Sequence, residues 1–156
     1  MIFVTLGTQD KQFKRLLEAT EKLDTNEKIV AQVGSTQFKS NKIEIHKYLT
    51  QSEFNDYMKK ASVIITHAGV GTIIEGIKLH KKMIVGARLK KYKEHVNDHQ
   101  LQILDNFSKR GYILALNDFD KLQELVNKDF SPKEFNSNNA NFCNILDKKI
   151  IELTKE

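Results

Sequence analysis

Hydrophobic residues in this chain follow two rhythms. Short, nearly unbroken apolar runs occupy Ile2-Phe3-Val4-Thr5-Leu6, 29–33, 43–45, 62–66, 82–85 and 112–116, and the first two stop at Gly7 and Gly34. Runs of this length, rich in Ile and Val, predict strands buried on both faces. Between them apolar positions recur at helical spacing, as Phe13, Leu16, Leu17, Ala19 and Leu23 do, or Phe54, Tyr57, Met58 and Ala61. That period predicts helices over 10–22, 54–61, 70–79, 96–109, 118–127 and 141–153, each with one apolar stripe to lay on a sheet.

Strands that alternate with helices require right-handed crossovers and a mostly parallel sheet with helices on both faces. The expected fold is therefore α/β and Rossmann-like, with residues 1–156 as a single domain. Ligands of such sheets bind beyond the carboxyl ends of the strands, where the strand-to-helix loops gather. Gly7-Thr8-Gln9, Gly34-Ser35-Thr36, 67–72 and 86–97 are those loops here, and all four should share one edge.

The third loop carries the most chemistry. His67 ends a strand, and Gly69, Val70, Gly71 and Thr72 lie at the start of a helix. Backbone N–H groups at a helix N-terminus have no intrahelical partner and carry partial positive charge, so they bind phosphate oxygens without a lysine. Glycines let the anion approach, Thr72 adds a hydroxyl, and His67 can donate a further hydrogen bond. Glu75 follows three residues after Thr72 on the same helix face, where a carboxylate accepts the two hydroxyls of a ribose. The plainer alternatives are a tight strand-to-helix connection and a helix charge favoured by the dipole. A nucleoside diphosphate accounts for the histidine, glycines, threonine and glutamate together. Neither GxxxxGK[ST] nor a GxGxxG after the first strand is present, which argues against an ATPase or a nicotinamide dehydrogenase.

Charge and composition narrow the field further. The chain has 25 Lys+Arg against 20 Asp+Glu, a net +5 that favours acidic partners. Lys81-Lys82 and Arg88-Leu89-Lys90-Lys91-Tyr92-Lys93 concentrate that charge, either as a solvated loop or as a surface for phosphate or anionic lipid. No RNA-binding motif accompanies it, so nucleic acid is not an expected partner. No apolar stretch approaches the ~20 residues of a membrane span. The strand-like run begins at residue 2 without a basic leader, which gives a cytoplasmic expectation. Cys143, the only cysteine, is expected to be a packing residue.

The stretch H67-A-G-V-G-T-I-I-E75 resembles the donor-binding signature in the C-terminal half of two-domain nucleotide-sugar glycosyltransferases of the GT-B fold, the group that includes the peptidoglycan enzyme MurG. With M1-I-F-V-T-L-G-T8 and K91-Y-K-E-H-V-N-D-H-Q100 it is similar to a smaller family. That family contains the catalytic subunit of the eukaryotic dolichol-linked UDP-GlcNAc transferase and bacterial capsule and exopolysaccharide subunits of the PssE and EpsF type. The resemblance implies an inverting UDP-sugar glycosyltransferase. Gly7, Thr8, His67, Gly69, Gly71 and Thr72 would hold the diphosphate and Glu75 the ribose. Gly34 and Tyr48-Leu49 would lie near the uracil. Asn97, Asp98, His99 and Gln100 would hold the donor sugar, with His99 departing from the usual carboxylate or glutamine.

It implies no metal and no cofactor, since no DxD carboxylate pair appears. His95 is a weak candidate base. The base and the acceptor site are expected in a membrane-anchored partner subunit, which would bring the chain to the inner face of the membrane as a peripheral component. The acceptor would be a polyprenyl-diphosphate-linked glycan in capsule or exopolysaccharide synthesis, and the donor UDP-galactose or a similar hexose. A UDP-GlcNAc transferase subunit and a non-catalytic nucleotide-sugar-binding regulatory module are the alternatives.

Overall fold

The computed structural model describes residues 1–135, so the helix expected over 141–153 and Cys143 lie outside the described residues. Six strands form one sheet: β1 (Ile2–Thr5), β2 (Ile29–Gln32), β3 (Ile43–His46), β4 (Val63–His67), β5 (Lys82–Gly86) and β6 (Leu114–Leu116). Their order is β3-β2-β1-β4-β5-β6 and every pairing is parallel. The chain thus winds outward from β1 in one direction, then returns to β1's other side at β4. The α/β, Rossmann-like expectation holds.

Helices cover both faces, as the alternation requires. Helices α1 (Lys14–Glu21) and α5 (Leu122–Asn127) bury Leu16, Leu17 and Leu122 against Ile2, Val4, Ile29, Ile65 and Ile84. On the opposite face α2 (Gln51–Lys60), α3 (Val70–Lys78) and α4 (His99–Lys109) bury Met58, Ile73, Ile77 and Leu104 against Phe3, Val30, Ile64 and Met83. Successive residues of β1 serve opposite cores, which is why Ile2, Phe3, Val4 and Thr5 are all buried and the run has no polar alternation. Ile2, Phe3 and Val4 each contribute ~1.5–3 kcal/mol by leaving water.

Several element ends differ from the sequence expectation, and tertiary hydrogen bonds explain two of them. The first helix begins at Lys14, not at 10, because the Phe13 N–H is taken by Thr36 Oγ1 and the Lys11 and Gln12 carbonyls by the Arg88 side chain. Likewise α4 begins at His99, not at 96, since Asp98 Oδ1 accepts the Lys90 N–H and fixes the preceding loop. The helix expected over 118–127 opens as a single 3₁₀ turn at Phe119–Lys121 before α5. The start of α2 carries a capping box, with Thr50 and Glu53 each bonding the other's backbone.

Helix α3 packs on β5 at Gly76, directly over the Met83 side chain. A Cβ on Gly76 would sit 2.2 Å from Met83 Sδ and 2.7 Å from its Cε, in a side chain that is itself fully buried. Gly76→Ala should therefore destabilise by about 1–3 kcal/mol despite alanine's better helix propensity. Urea unfolding of the variant beside the native chain measures it, and unchanged stability would show that Met83 can swing away.

Candidate functional site

The sheet's switch point between β1 and β4 sets the site. Thr5 at the end of β1 pairs with Thr66 in β4, and the Thr66 hydroxyl donates to the Thr5 carbonyl at 2.9 Å. The two loops that follow therefore start side by side. Gly7, Thr8, His67, Gly69, Gly71, Thr72 and Glu75 line one cavity of about 320 Å³. The strand-to-helix loop residues expected at the diphosphate and ribose are thus brought together. Gln32, Leu49, Gln51 and Phe54 complete the lining. Of these, only Leu49 was expected near the ligand. A polar Gln32 inside the apolar run 29–33, and the Thr50–Glu53 capping signal that places Gln51 at the carboxyl edge, were the available clues.

The start of α3 is open. Ile73 makes the first intrahelical bond, to the Gly69 carbonyl, and no side chain caps the preceding amides of Val70, Gly71 and Thr72. The glycines have different reasons to be glycine. A Cβ on Gly69 would lie 2.3 Å from His67 Nε2, and one on Gly7 would lie 2.6 Å from His67 Cε1, so both make room for the imidazole. Gly7 also has φ +73°, a left-handed conformation that costs other residues energy. Gly71 is exposed with nothing within 4 Å, and its φ is ordinary. Among the described residues nothing excludes a side chain there. Glu75, half-buried on the same helix, makes no hydrogen bond or ion pair among the described residues.

His67 is neutral. Burial, helped by the charges of Arg88 and His95, lowers its pKa from 6.5 to about 4. Thr66 gives its own proton to Thr5, so the 3.3 Å contact at His67 Nδ1 is donated by the imidazole. The ring's single proton is thereby assigned to Nδ1, and Nε2 faces Gly7 and Gly69 as an acceptor.

The family model for the glycosyltransferase family 28 C-terminal domain matches residues 1–152. This chain belongs to that family. Three relatives carry the name UDP-N-acetylglucosamine transferase subunit ALG13. The Candida albicans protein is 33% identical over 101 residues, 65% of this chain and 33% of its own length. The Candida glabrata protein is 33% identical over 49% of this chain and 39% of its own. The human protein is 25% identical over 72% of this chain and 10% of its own. The matched region is therefore at most about two fifths of each relative. Among solved structures, the kitacinnamycin glycosyltransferase superposes with a TM-score of 0.62 at 18% identity, over 80% of this chain and 33% of that one. The calicheamicin glycosyltransferase CalG4 gives 0.57 at 16%, over 80% and 32%. These likenesses concern the fold.

Other expected residues of this family 28 domain lie outside the cavity. Gly34 (φ +58°) lines a neighbouring cavity of about 680 Å³ with Lys14, Lys39 and Lys47, yet its Cβ position would lie 2.7 Å from the Gly7 carbonyl, so it supports the first loop from behind. Tyr48 is exposed, with its hydroxyl 3.3 Å from Ser35. Asn97, Asp98 and His99 are exposed and engaged locally: Asn97 Oδ1 accepts the His99 N–H, Asp98 the Lys90 N–H, and His99 Nδ1 contacts Gln102. His95 Nδ1 lies against the Asn97 backbone. Gln100 is buried, and its Oε1 accepts the Arg88 N–H at 3.0 Å. That bond fixes the amide orientation and leaves Nε2 without a partner among the described residues.

The basic segment is not the continuous patch its sequence suggests. Arg88 is fully buried, Lys81 Nζ is held by the Lys59 and Ala61 carbonyls, and Lys82 Nζ by those of Val126 and Lys128. Lys90, Lys91 and Lys93 are the exposed remainder. No helix among the described residues is long and apolar enough to cross a membrane.

The depressed pKa of His67 has a stability consequence. Its folded value of about 4 lies below the unfolded 6.5, so the unfolded chain binds this proton more readily. The neutral ring's contribution is complete above pH 6.5 and is lost as pH falls toward 4, on the order of 2–3 kcal/mol. Denaturant unfolding between pH 4 and 7.5 should show that slope, and His67→Gln should flatten it.

Proposed function

We propose that this chain is the donor-binding part of a UDP-sugar glycosyltransferase, with UDP-N-acetylglucosamine as donor. The observation that carries the reading is the uncapped start of α3, where an exposed glycine with no neighbour among the described residues, and Thr72 after it, line a cavity that also holds an unpaired carboxylate. The diphosphate lies on the Val70, Gly71 and Thr72 amides with the Thr72 hydroxyl, and the ribose hydroxyls donate to Glu75. Leu49 and Phe54 offer the apolar surface for the base. Of the sugars, the names of the three relatives favour UDP-N-acetylglucosamine over the UDP-galactose expected from sequence. None of those three relatives is named for capsule or exopolysaccharide synthesis.

Chemically, an acceptor hydroxyl attacks the anomeric carbon as the bond to the UDP oxygen breaks, with inversion. The hydroxyl proton passes to a base, and the diphosphate keeps the electron pair. Charge builds on the leaving oxygen against the α3 amides, which are already oriented and require no reorganisation. The word "subunit" in the relatives' names supports a second polypeptide; in this reading that polypeptide is membrane-anchored, holds a lipid-diphosphate-linked glycan, supplies the base and brings this chain to the membrane surface.

Two experiments test this. Calorimetry in EDTA should show UDP and UDP-N-acetylglucosamine binding to the chain alone. Glu75→Ala should weaken UDP by about 1.5–3 kcal/mol, the scale of hydrogen bonds to a charged group. Gly71→Ala should weaken it as well while leaving the fold as stable or up to about 1 kcal/mol more so. Binding that appears only with a divalent ion would refute the amide site. In transfer assays the chain alone should be nearly inactive with a lipid-diphosphate glycan, because positioning is worth ~7–11 kcal/mol of barrier and proton removal another 10²–10⁴-fold. Equal rates with and without membranes that carry the partner would refute the division of labour.

A further inference from the structure

One buried cation joins the first loop, after β1, which gives Gly7 and Thr8 to the donor cavity, to the fourth, after β5, which lies outside that cavity and leads to Gln100. Arg88 Nη2 donates to the Leu6 carbonyl at 2.8 Å, and Nη1 to the carbonyls of Lys11 at 2.8 Å, Gln12 at 3.2 Å and Glu94 at 3.4 Å. Leu6 and Lys11-Gln12 are the two ends of the first loop, with Gly7 and Thr8 between them. Glu94 belongs to the fourth. The backbone of Arg88 holds Gln100 through its N–H.

A second clamp meets the first. Arg15 on α1 grips the Glu94 carboxylate in bidentate fashion, Nε to Oε1 at 2.8 Å and Nη2 to Oε2 at 2.6 Å, and reaches the Ala87 carbonyl. Its guanidinium lies between the rings of Tyr92 and Phe119, 4.2 and 4.3 Å from their centroids. Glu94 Oε2 also accepts the Leu89 N–H.

Stability alone is a poor reason for this arrangement. Arg88 is fully buried with its Nε left without a hydrogen bond, and burial lowers its pKa to about 10. Replacing a buried charge with apolar residues is often neutral or stabilising, whereas a planar fork with several donors is suited to fixing the spacing of several carbonyls at once.

We propose that Arg88, with the Arg15–Glu94 pair, is a positioning device that sets the gap between the two loops and aims the free amide of Gln100 at the donor sugar. The proposal rests on the donor-site reading above. Arg88 acts on both loops, and Glu94 on the fourth alone. The two residues therefore leave different signatures.

Calorimetry of the full chain with UDP and with UDP-N-acetylglucosamine separates them. Partners that orient the ligands of metal sites account for 10–100-fold in affinity, and an effect at the lower end of that scale is expected here. Glu94→Gln keeps the shape but sets an amide against Arg15 or Leu89, so it should weaken UDP-N-acetylglucosamine about tenfold and UDP less than about twofold. Arg88→Lys keeps the charge but has too few donors for four carbonyls, and should weaken both ligands, the sugar nucleotide by at least about tenfold and by more than UDP. Leu23→Ala, buried at the far end of α1, serves as the stability control: brought to the same fall in Tm, it should change neither affinity. If Arg88→Lys does not fold, the Glu94→Gln ratio decides.

Parallel small losses in all three variants, or unchanged affinities in the first two, would overturn the positioning role while the donor site stands. Failure of the native chain to bind either nucleotide would overturn the donor-site reading and this role with it.

Discussion

The structure depends on the pairing of β1 with β4. Two parallel strands that are neighbours in space but separated in sequence end side by side, Thr5 opposite Thr66, at the point where the strand order turns back on itself. Every other feature of the site follows from that register. The loops after these strands must diverge to opposite faces of the sheet, one to α1 and one to α3. The gap they leave is filled on one side by His67 and left open on the other. A shift by one residue would exchange the two cores and turn the Thr66 hydroxyl away from Thr5.

Within that gap the backbone, not the side chains, supplies the positive potential. The α3 amides are uncapped, His67 is neutral, and no lysine lines the cavity. Behind the loops lies the Arg88 cation, buried and surrounded by carbonyl oxygens. Such a site attracts an anion through preorganised dipoles. This explains how a chain of net charge +5 spends little of that charge at its own cavity.

The sequence reported the fold well because each strand of a doubly covered parallel sheet is an unbroken apolar run, and each helix repeats at its own period. The loop that holds His67 to Thr72 was equally legible, since glycine, histidine and threonine next to one another constrain the chemistry locally. What the sequence hid was set by distant contacts. The late starts of α1 and α4 come from hydrogen bonds to Thr36, Arg88 and Lys90 that no local window contains. Arg88 reads as part of a basic surface in the string Arg88-Leu89-Lys90-Lys91-Tyr92-Lys93, and only the fold turns it inward against Leu6, 82 positions away. Gln100 reads as a sugar ligand, yet half of its amide serves the Arg88 backbone.

Two cavities open near the carboxyl edge, and the larger one, with Lys14, Lys39 and Lys47 in its wall, would be chosen by size and charge. The smaller is chosen here by its amides and its carboxylate. Amide chemical-shift mapping of the ¹⁵N-labelled chain titrated with UDP in EDTA decides between them most directly. The largest shifts are expected at Val70, Gly71 and Thr72, with Gly7 and Thr8 close behind and little change at Gln37, Phe38 and Lys39. Shifts centred on Gln37 to Lys39 with Val70 to Thr72 unmoved would contradict the amide site, and would place the nucleotide among the lysines.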